Sequence, residues 1–294
     1  MRPSISFTGI TKKFGPIRAL DGVTFDVDRP GCVGILGPNG AGKTTMLKIL
    51  TNIVKPSSGI ALVNGISVSE YPEKALARVG ALVEQPEFYP YLTAREILNF
   101  VVKIKMVRNE EDEIRRVSEL TSIAGYLDRK AGGFSRGMKQ RLGLAVALVG
   151  DPDVLILDEP TFGLDPSGMK RVRDIIKDIN ARGDKIIILS THLIYEAQEV
   201  CDRIIIVNKG KIGYDLNNRA SDHVKIELES TGGAVDFPKQ IASQWKADGN
   251  VIYLQKADGA KNSEIIEHCR KNGLEVKWVT PYNDIESIYV SLTK

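Results

Sequence analysis

An α/β fold built around a parallel sheet is what this sequence predicts, and three observations predict it. The first is the run Gly37-Pro38-Asn39-Gly40-Ala41-Gly42-Lys43-Thr44, which fits the phosphate-binding pattern G-x-x-x-x-G-K-[ST]. The second is its setting. Residues 32–36 form a short apolar run that reads as a buried strand, and residues 45–50 read as a helix. The third is Val154-Leu155-Ile156-Leu157-Asp158-Glu159-Pro160, four apolar residues closed by two acids. That pattern fits a parallel strand buried on both faces.

The order strand, loop, helix has a physical reason. Glycines at 37, 40 and 42 let successive backbone N–H groups turn inward around phosphate oxygens, where a Cβ would obstruct them. Pro38, Asn39 and Ala41 complete the loop, and the helix entered through Thr44 and Thr45 adds the partial positive charge of its N-terminus. Lys43 then reaches the β- and γ-phosphates, and the Thr44 hydroxyl is placed to ligate Mg²⁺. The ligand expected is therefore a nucleoside triphosphate with Mg²⁺. Ligands of such sheets gather at the carboxyl ends of strands. Asp158 is expected near the metal, directly or through a water, and Glu159 near the attacking water, to orient or deprotonate it.

The remaining elements follow from periodicity and punctuation. Residues 5–27 alternate as strands, with Val23, Phe25 and Val27 on one face. Residues 91–149 are mainly helical, and Thr93-x-x-Glu96 is a capping box. Strands and helices alternate again to residue 214: a helix over 165–181 with Asp165 as its cap, Pro166 at its first position and Gly183 as its stop, then strand 185–190. Asn208-Lys209-Gly210-Lys211 reads as a hairpin turn. A polar stretch at 215–222 marks a boundary. Beyond it the pattern predicts strand 223–229, helix 237–246, strand 250–255, helix 262–271 stopped by Gly273, strand 275–279 and helix 284–293 started by Asn283-x-x-Glu286. The expected domains are 1–215 and a small α/β unit over 222–294.

One more run names a family. Gly132-Gly133-Phe134-Ser135-Arg136-Gly137-Met138-Lys139-Gln140-Arg141 resembles the signature motif of ABC ATPases, usually Leu-Ser-Gly-Gly-Gln followed by Gln-Arg. Phe134 replaces the Leu, Arg136 the first Gly and Met138 the Gln, while Ser135, Gly137, Gln140 and Arg141 match. The Ser-Arg-Gly-Met form resembles that of drug-, sodium- and polysaccharide-type exporter subunits. Ser135 and the Gly137 N–H at a helix start make a second anion site, and the resemblance implies that it meets the γ-phosphate held by a partner subunit. It likewise implies that His192, after strand 185–190, is the switch histidine, that Asp165 in Gly163-Leu164-Asp165-Pro166 belongs to the loop crossing the dimer interface, and that Phe14 stacks on adenine. By itself Phe14 also reads as a strand-end core residue. The family's Q-loop glutamine counts back from Pro90 to Glu84, with Gln85 next to it; either offers an oxygen to Mg²⁺ or water.

The resemblance is strong for 1–215 and weak for the tail. It implies a P-loop NTPase core of ABC type, with an antiparallel subdomain, a helical subdomain at about 91–149 and the small C-terminal α/β domain. It further implies a subunit that pairs with a second copy or a related ATPase subunit around ATP and powers a separate integral membrane permease, of exporter type, from the cytoplasmic face of the membrane. Composition is compatible. No apolar run approaches the roughly 20 residues of a membrane helix, and the N-terminus lacks a basic-then-apolar signal segment. A net charge of +3 gives no argument for nucleic acid. Three scattered cysteines, Cys32, Cys201 and Cys269, fit neither a disulfide framework nor a zinc site. Two other classes are a soluble ABC protein acting on nucleic acid or ribosomes, which would carry two cassettes or a coiled-coil insertion, and an ATP-binding regulator or assembly scaffold without transport.

Overall fold

The computed structural model describes residues 4–217, 223–229, 236–257 and 259–281, together with Ile285, Tyr289, Val290 and Leu292. The chain divides into two compact units, 1–217 with 292–294, and 218–291.

The first unit opens with β1 (Ile5–Phe14), β2 (Ile17–Val27), β3 (Gly31–Leu36), α1 (Lys43–Leu50), β4 (Ser58–Val63), β5 (Ile66–Ser67), α2 (Pro72–Leu76) and β6 (Val79–Leu82). Three helices follow, α3 (Ala94–Ile104), α4 (Glu110–Leu120) and α5 (Arg136–Leu148). The chain then alternates through β7 (Val154–Asp158), α6 (Pro166–Ala181), β8 (Ile186–Thr191), α7 (Ile194–Val200), β9 (Arg203–Asn208) and β10 (Lys211–Asn217).

Two sheets result. One is antiparallel, in the order β2-β1-β4-β5; the other runs β10-β9-β3-β8-β7-β6 and is parallel except for its edge strand β10. The apolar runs that predicted buried strands are buried: every residue of β7 and β8 is. Val23, Phe25 and Val27 face one core, where Phe25 stacks on Phe7 with ring centroids 4.9 Å apart. Helix α1 puts Met46, Leu47, Ile49 and Leu50 into the same core, against Ile5 and Phe7 of the antiparallel sheet and Ile156 and Ile188 of the parallel one. This packing holds the phosphate loop's helix from both sides. Truncating Leu50 to Ala there costs about 2–5 kcal/mol.

Local signals behave as expected. Thr93 and Glu96 form both halves of the capping box. Asp165 caps α6, with Pro166 at its first position. Lys209 and Gly210 take φ values of 47° and 76°, as a two-residue primed hairpin turn between β9 and β10 requires. Cys32 and Cys201 are buried with their sulfurs 3.5 Å apart, and Cys269 is buried in the other unit.

The second unit holds β11 (His223–Leu228), β12 (Ala242–Asp248), β13 (Val251–Lys256), α8 (Asn262–Lys271) and β14 (Val276–Pro281), with an antiparallel sheet in the order β12-β13-β11-β14. Its core gathers Val224, Ile226, Phe237, Ile252, Leu254 and Ile265. One sequence expectation fails here. The predicted helix 237–246 is instead loop and turn to residue 241 and then the first part of strand β12, paired antiparallel with β13. An irregularity between Ala242 and Gln244 breaks the two-residue period, so that Ala242 and Trp245 both turn to the core. Their spacing of three imitates a helix. The predicted helix 284–293 lies mostly outside the described residues, as does its capping residue Asn283.

Candidate functional site

Three chain segments meet at the carboxyl end of the parallel sheet. Residues 37–42 leave β3 and enter α1, β7 ends at Asp158 with Glu159 next, and β8 ends just before His192. The loop has the backbone its glycines allow: Gly40 and Gly42 take φ values of 79° and 106°. A Cβ on Gly37 would lie 2.3 Å from the Val207 carbonyl oxygen, so the loop seats against β9 only with glycine there. Gly42 caps α1 in a left-handed conformation without any side-chain hydrogen bond. The first N–H groups of α1 therefore face the loop's concavity without a side chain competing for them.

Lys43 is 4% exposed, and its Nζ donates to the carbonyls of Gly37 at 2.8 Å and Pro38 at 3.2 Å. The same ammonium lies 3.3 Å from Glu159 Oε1. Asp158 is buried, and its Oδ1 accepts from the Thr44 hydroxyl at 3.2 Å and from Ser190 Oγ. Thr44 and Asp158 thus bring oxygen donors together at the mouth of the loop, the chemistry Mg²⁺ prefers. Among the described residues no three His, Cys, Asp or Glu side chains gather as a metal cage. The loop and this oxygen pair suit ATP with Mg²⁺.

Glu159 sits in the left-handed region at φ 43°, which costs a non-glycine residue about 1–2 kcal/mol. Ser190 holds it there, accepting the Glu159 N–H on its Oγ at 3.0 Å and on its carbonyl at 3.1 Å. The bend aims the carboxylate at both Lys43 and His192, whose Nδ1 is 2.9 Å from Glu159 Oε2.

The other expected residues fall in three places. Phe14 ends β1 and is 48% exposed, with Lys12 Nζ 4.8 Å from its ring centroid. That exposure corrects the reading of Phe14 as a core residue. Glu84, at φ 65°, pairs with Lys48 at 2.5 Å, and Gln85 is exposed. No hydrogen bond joins Glu84 or Gln85 to Thr44 or Asp158 in this structure. Ser135, Gly137 and Asp165 line a separate pocket of about 320 Å³ with Arg136, Arg141 and Leu164. There Ser135 caps α5 by accepting the Met138 N–H at 3.3 Å, and Asp165 accepts the Gly168 N–H at 3.2 Å.

One residue was missed. Glu196 in α7 is 1% exposed and accepts the hydroxyls of Thr161, just past β7, and Thr191, the last residue of β8. Burial pushes its carboxyl above the usual range, against the pull of those two hydrogen bonds. It ties together the strand ends that carry Glu159 and His192. The only signal in the sequence was its position five residues after Thr191, which points to no chemistry.

The relatives extend this picture. The family described as ABC transporter matches residues 20–162. A dimeric ATP-binding cassette, MJ0796, solved in a post-hydrolysis state with ADP and Pi, is similar at a TM-score of 0.67 and 25% identity, over 73% of this chain and 99% of that one. The bacitracin transport ATP-binding protein BcrA of Bacillus licheniformis is 33% identical over 99% of this chain and 98% of its own length. The uncharacterized ABC transporter ATP-binding protein YdbJ of Bacillus subtilis (strain 168) is 34% identical over 99% of this chain and 96% of its own. Similarity at that level from end to end carries the assignment: this chain belongs to the ABC transporter ATP-binding proteins.

Proposed function

We propose that Glu159 is the hydrolytic carboxylate of this ATPase and that the permease it drives is an exporter. As an ABC ATP-binding subunit, the chain hydrolyses ATP with Mg²⁺, pairs around the nucleotide and powers a separate membrane permease. The observation that carries the Glu159 assignment is its place between Lys43, at 3.3 Å, and His192, at 2.9 Å. A γ-phosphate held by Lys43 lies beside this carboxylate, so a water attacking in line finds a proton acceptor already oriented. Thr44 and Asp158 would hold Mg²⁺, which would supply charge neutralisation at the phosphates. His192 fixes the carboxylate and adds a donor toward the γ-phosphate. Phe14, half-exposed at a strand end, is available to stack on adenine. Ser135, Gly137 and Asp165 act on the nucleotide of a second copy or a related subunit, with the mirrored contact made in return.

The exporting direction rests on the Ser-Arg-Gly-Met form of the signature run. The kinship with a bacitracin transport subunit supports transport as the task. The permease's cytoplasmic segment is the occupant we assign to an apolar groove of about 510 Å³, lined by Glu87, Phe88, Tyr89, Pro90, Ile97 and Phe100. Tyr89 and Phe100 are 67% and 66% exposed there. The groove adjoins the Glu84-Gln85 loop, so a shift of that loop on nucleotide binding moves the docked segment. No described helix is long and apolar enough to cross a membrane, in keeping with a subunit held at the inner, cytoplasmic face through its permease. The ATPase chemistry is assigned to 1–215, and an accessory role to 222–294.

Glu159→Gln tests the central assignment. Mg-ATP binding should persist while turnover falls by about two to four orders of magnitude, the scale of a general base. A kcat near that of the unaltered chain would remove Glu159 from the chemistry.

A further inference from the structure

Arg136 stands where the common motif has glycine, and its side chain reaches out of its own loop. It opens α5 one residue after Ser135, and its guanidinium carbon lies 5.2 Å from the centroid of the Phe162 ring. The Phe162 ring meets the His192 imidazole edge to face, with centroids 5.9 Å apart and planes at 71°. His192 in turn holds Glu159, and Glu159 faces Lys43. One line of contacts therefore runs, inside a single chain, from the Ser135 loop to the phosphate loop.

Two facts set Phe162 and Arg136 apart from ordinary packing. Phe162 is 48% exposed, so burial in the core does not account for the ring. Gly163 has φ 71°, and a Cβ there would lie 2.2 Å from the Arg136 guanidinium carbon. The guanidinium lies close against the Gly163 backbone, whose left-handed φ favours glycine there.

We propose that Arg136 and Phe162 are positioning residues for hydrolysis: the guanidinium clamps the ring, and the ring holds the imidazole against Glu159. The proposal rests on the reading of Glu159 as the hydrolytic carboxylate. The His192 side chain is 30% exposed and joined to Glu159 through one nitrogen. An aromatic neighbour restricts its swing at little entropic expense. Because Arg136 belongs to the Ser135 loop, whatever that loop grips on the second subunit also sets the ring. Each chain's hydrolytic geometry then depends on how its other face is engaged. The coupling is carried by two discrete contacts rather than by bulk motion.

Steady-state ATPase assays on the full chain decide the matter. Phe162→Leu, which keeps apolar bulk, should lower kcat about tenfold and leave KM for Mg-ATP within about threefold, the scale that ring–ring and cation–ring contacts supply to a barrier. Phe162→Tyr, which keeps the ring, should restore kcat. Arg136→Gly should lower kcat about threefold and Arg136→Lys should recover most of it. The double variant Phe162→Leu/His192→Ala should be no slower than His192→Ala alone, because both act through one imidazole. A kcat for Phe162→Leu equal to that of the unaltered chain, or losses that multiply in the double variant, would overturn the proposal. Should Phe162→Leu fail to fold, the Arg136→Gly and Arg136→Lys pair decides by the same criterion. Glu159→Gln assayed alongside separates the two readings. Retained turnover there defeats the hydrolytic assignment, whereas lost turnover there with normal Phe162→Leu kinetics defeats the relay alone.

Discussion

Two helices of the first unit begin at the proposed phosphate sites, and they begin differently. Helix α1 starts at Gly42, in a left-handed cap with no side-chain hydrogen bond. Helix α5 starts at Ser135, whose hydroxyl already accepts the Met138 N–H at 3.3 Å. At the start of α1 Lys43 is 4% exposed and Asp158 beside it 6%, and Glu196 behind the strand ends is 1%. Around α5, Ser135 and Arg136 are exposed. The first site is a finished cradle within one chain. The second is a self-satisfied loop, which under the role proposed for Ser135 would trade its own cap for a phosphate. On the proposed assignment, the difference teaches that one half of the catalytic machinery is built by folding and the other by association.

The strongest way to break that comparison is to remove the cradle's cation. Lys43→Ala should weaken Mg-ATP binding about 10- to 150-fold, the equivalent of one charge-assisted contact worth roughly 1.5–3 kcal/mol. Calorimetry on the isolated chain reads this directly. An unchanged affinity would mean that the phosphates lie elsewhere. The loss should appear with monomer and dimer alike, because every group concerned sits in one chain.

Ser135 should behave in the opposite way. Ser135→Ala removes a helix cap, which costs about 1 kcal/mol of stability. Its larger consequence is expected in ATP-driven pairing, measured by sedimentation in a Glu159→Gln background where the γ-phosphate persists. Affinity of the separate chain for Mg-ATP should change far less than in Lys43→Ala. A mixture sharpens the point. Lys43→Ala and Ser135→Arg chains, each inactive alone, form mixed dimers with one intact site and one doubly damaged site, and some ATPase activity should return. Mixed dimers shown to form yet wholly inactive would contradict catalysis in trans.

How much of this could be read beforehand varies with the kind of signal. The cradle was legible because phosphate chemistry demands particular residues at fixed spacing, and Gly37, Gly42, Lys43 and Thr44 can hardly be exchanged. Strands β7 and β8 were legible because burial on both faces leaves an unbroken apolar run. The capping box at Thr93 is local chemistry and survived folding unchanged. Strand β12 was not legible, since its irregularity gave Ala242 and Trp245 a helical spacing and pairing with β13 overrode the pattern. Glu84 was ambiguous by counting; its carboxylate turns to Lys48. Glu196 was invisible, because its partners Thr161 and Thr191 lie on two strand ends that only the parallel sheet brings together.

Glu196 also gives the smallest and most specific test of the buried half. Burial raises its folded-state pKa above the ordinary carboxylate value of 4.5. A group whose pKa rises on folding favours the fold most when protonated. Its contribution is therefore complete below the unfolded value and is lost as pH climbs through the raised folded value. Stability of the first unit should fall across that window as the carboxyl ionises among buried strand ends. Glu196→Gln cannot ionise. Its amide oxygen still accepts one threonine hydroxyl, and its NH₂ can donate to the other's oxygen. Thermal unfolding measured from pH 4 upward should then show a shallower decline of Tm for Glu196→Gln than for the unaltered chain. The same scan on Ser135→Ala should run parallel to that chain, since no titrating carboxylate caps α5. Parallel curves for Glu196→Gln would show that the carboxyl does not titrate against folding. The buried side would then differ from the exposed one in its contacts but not in its charge.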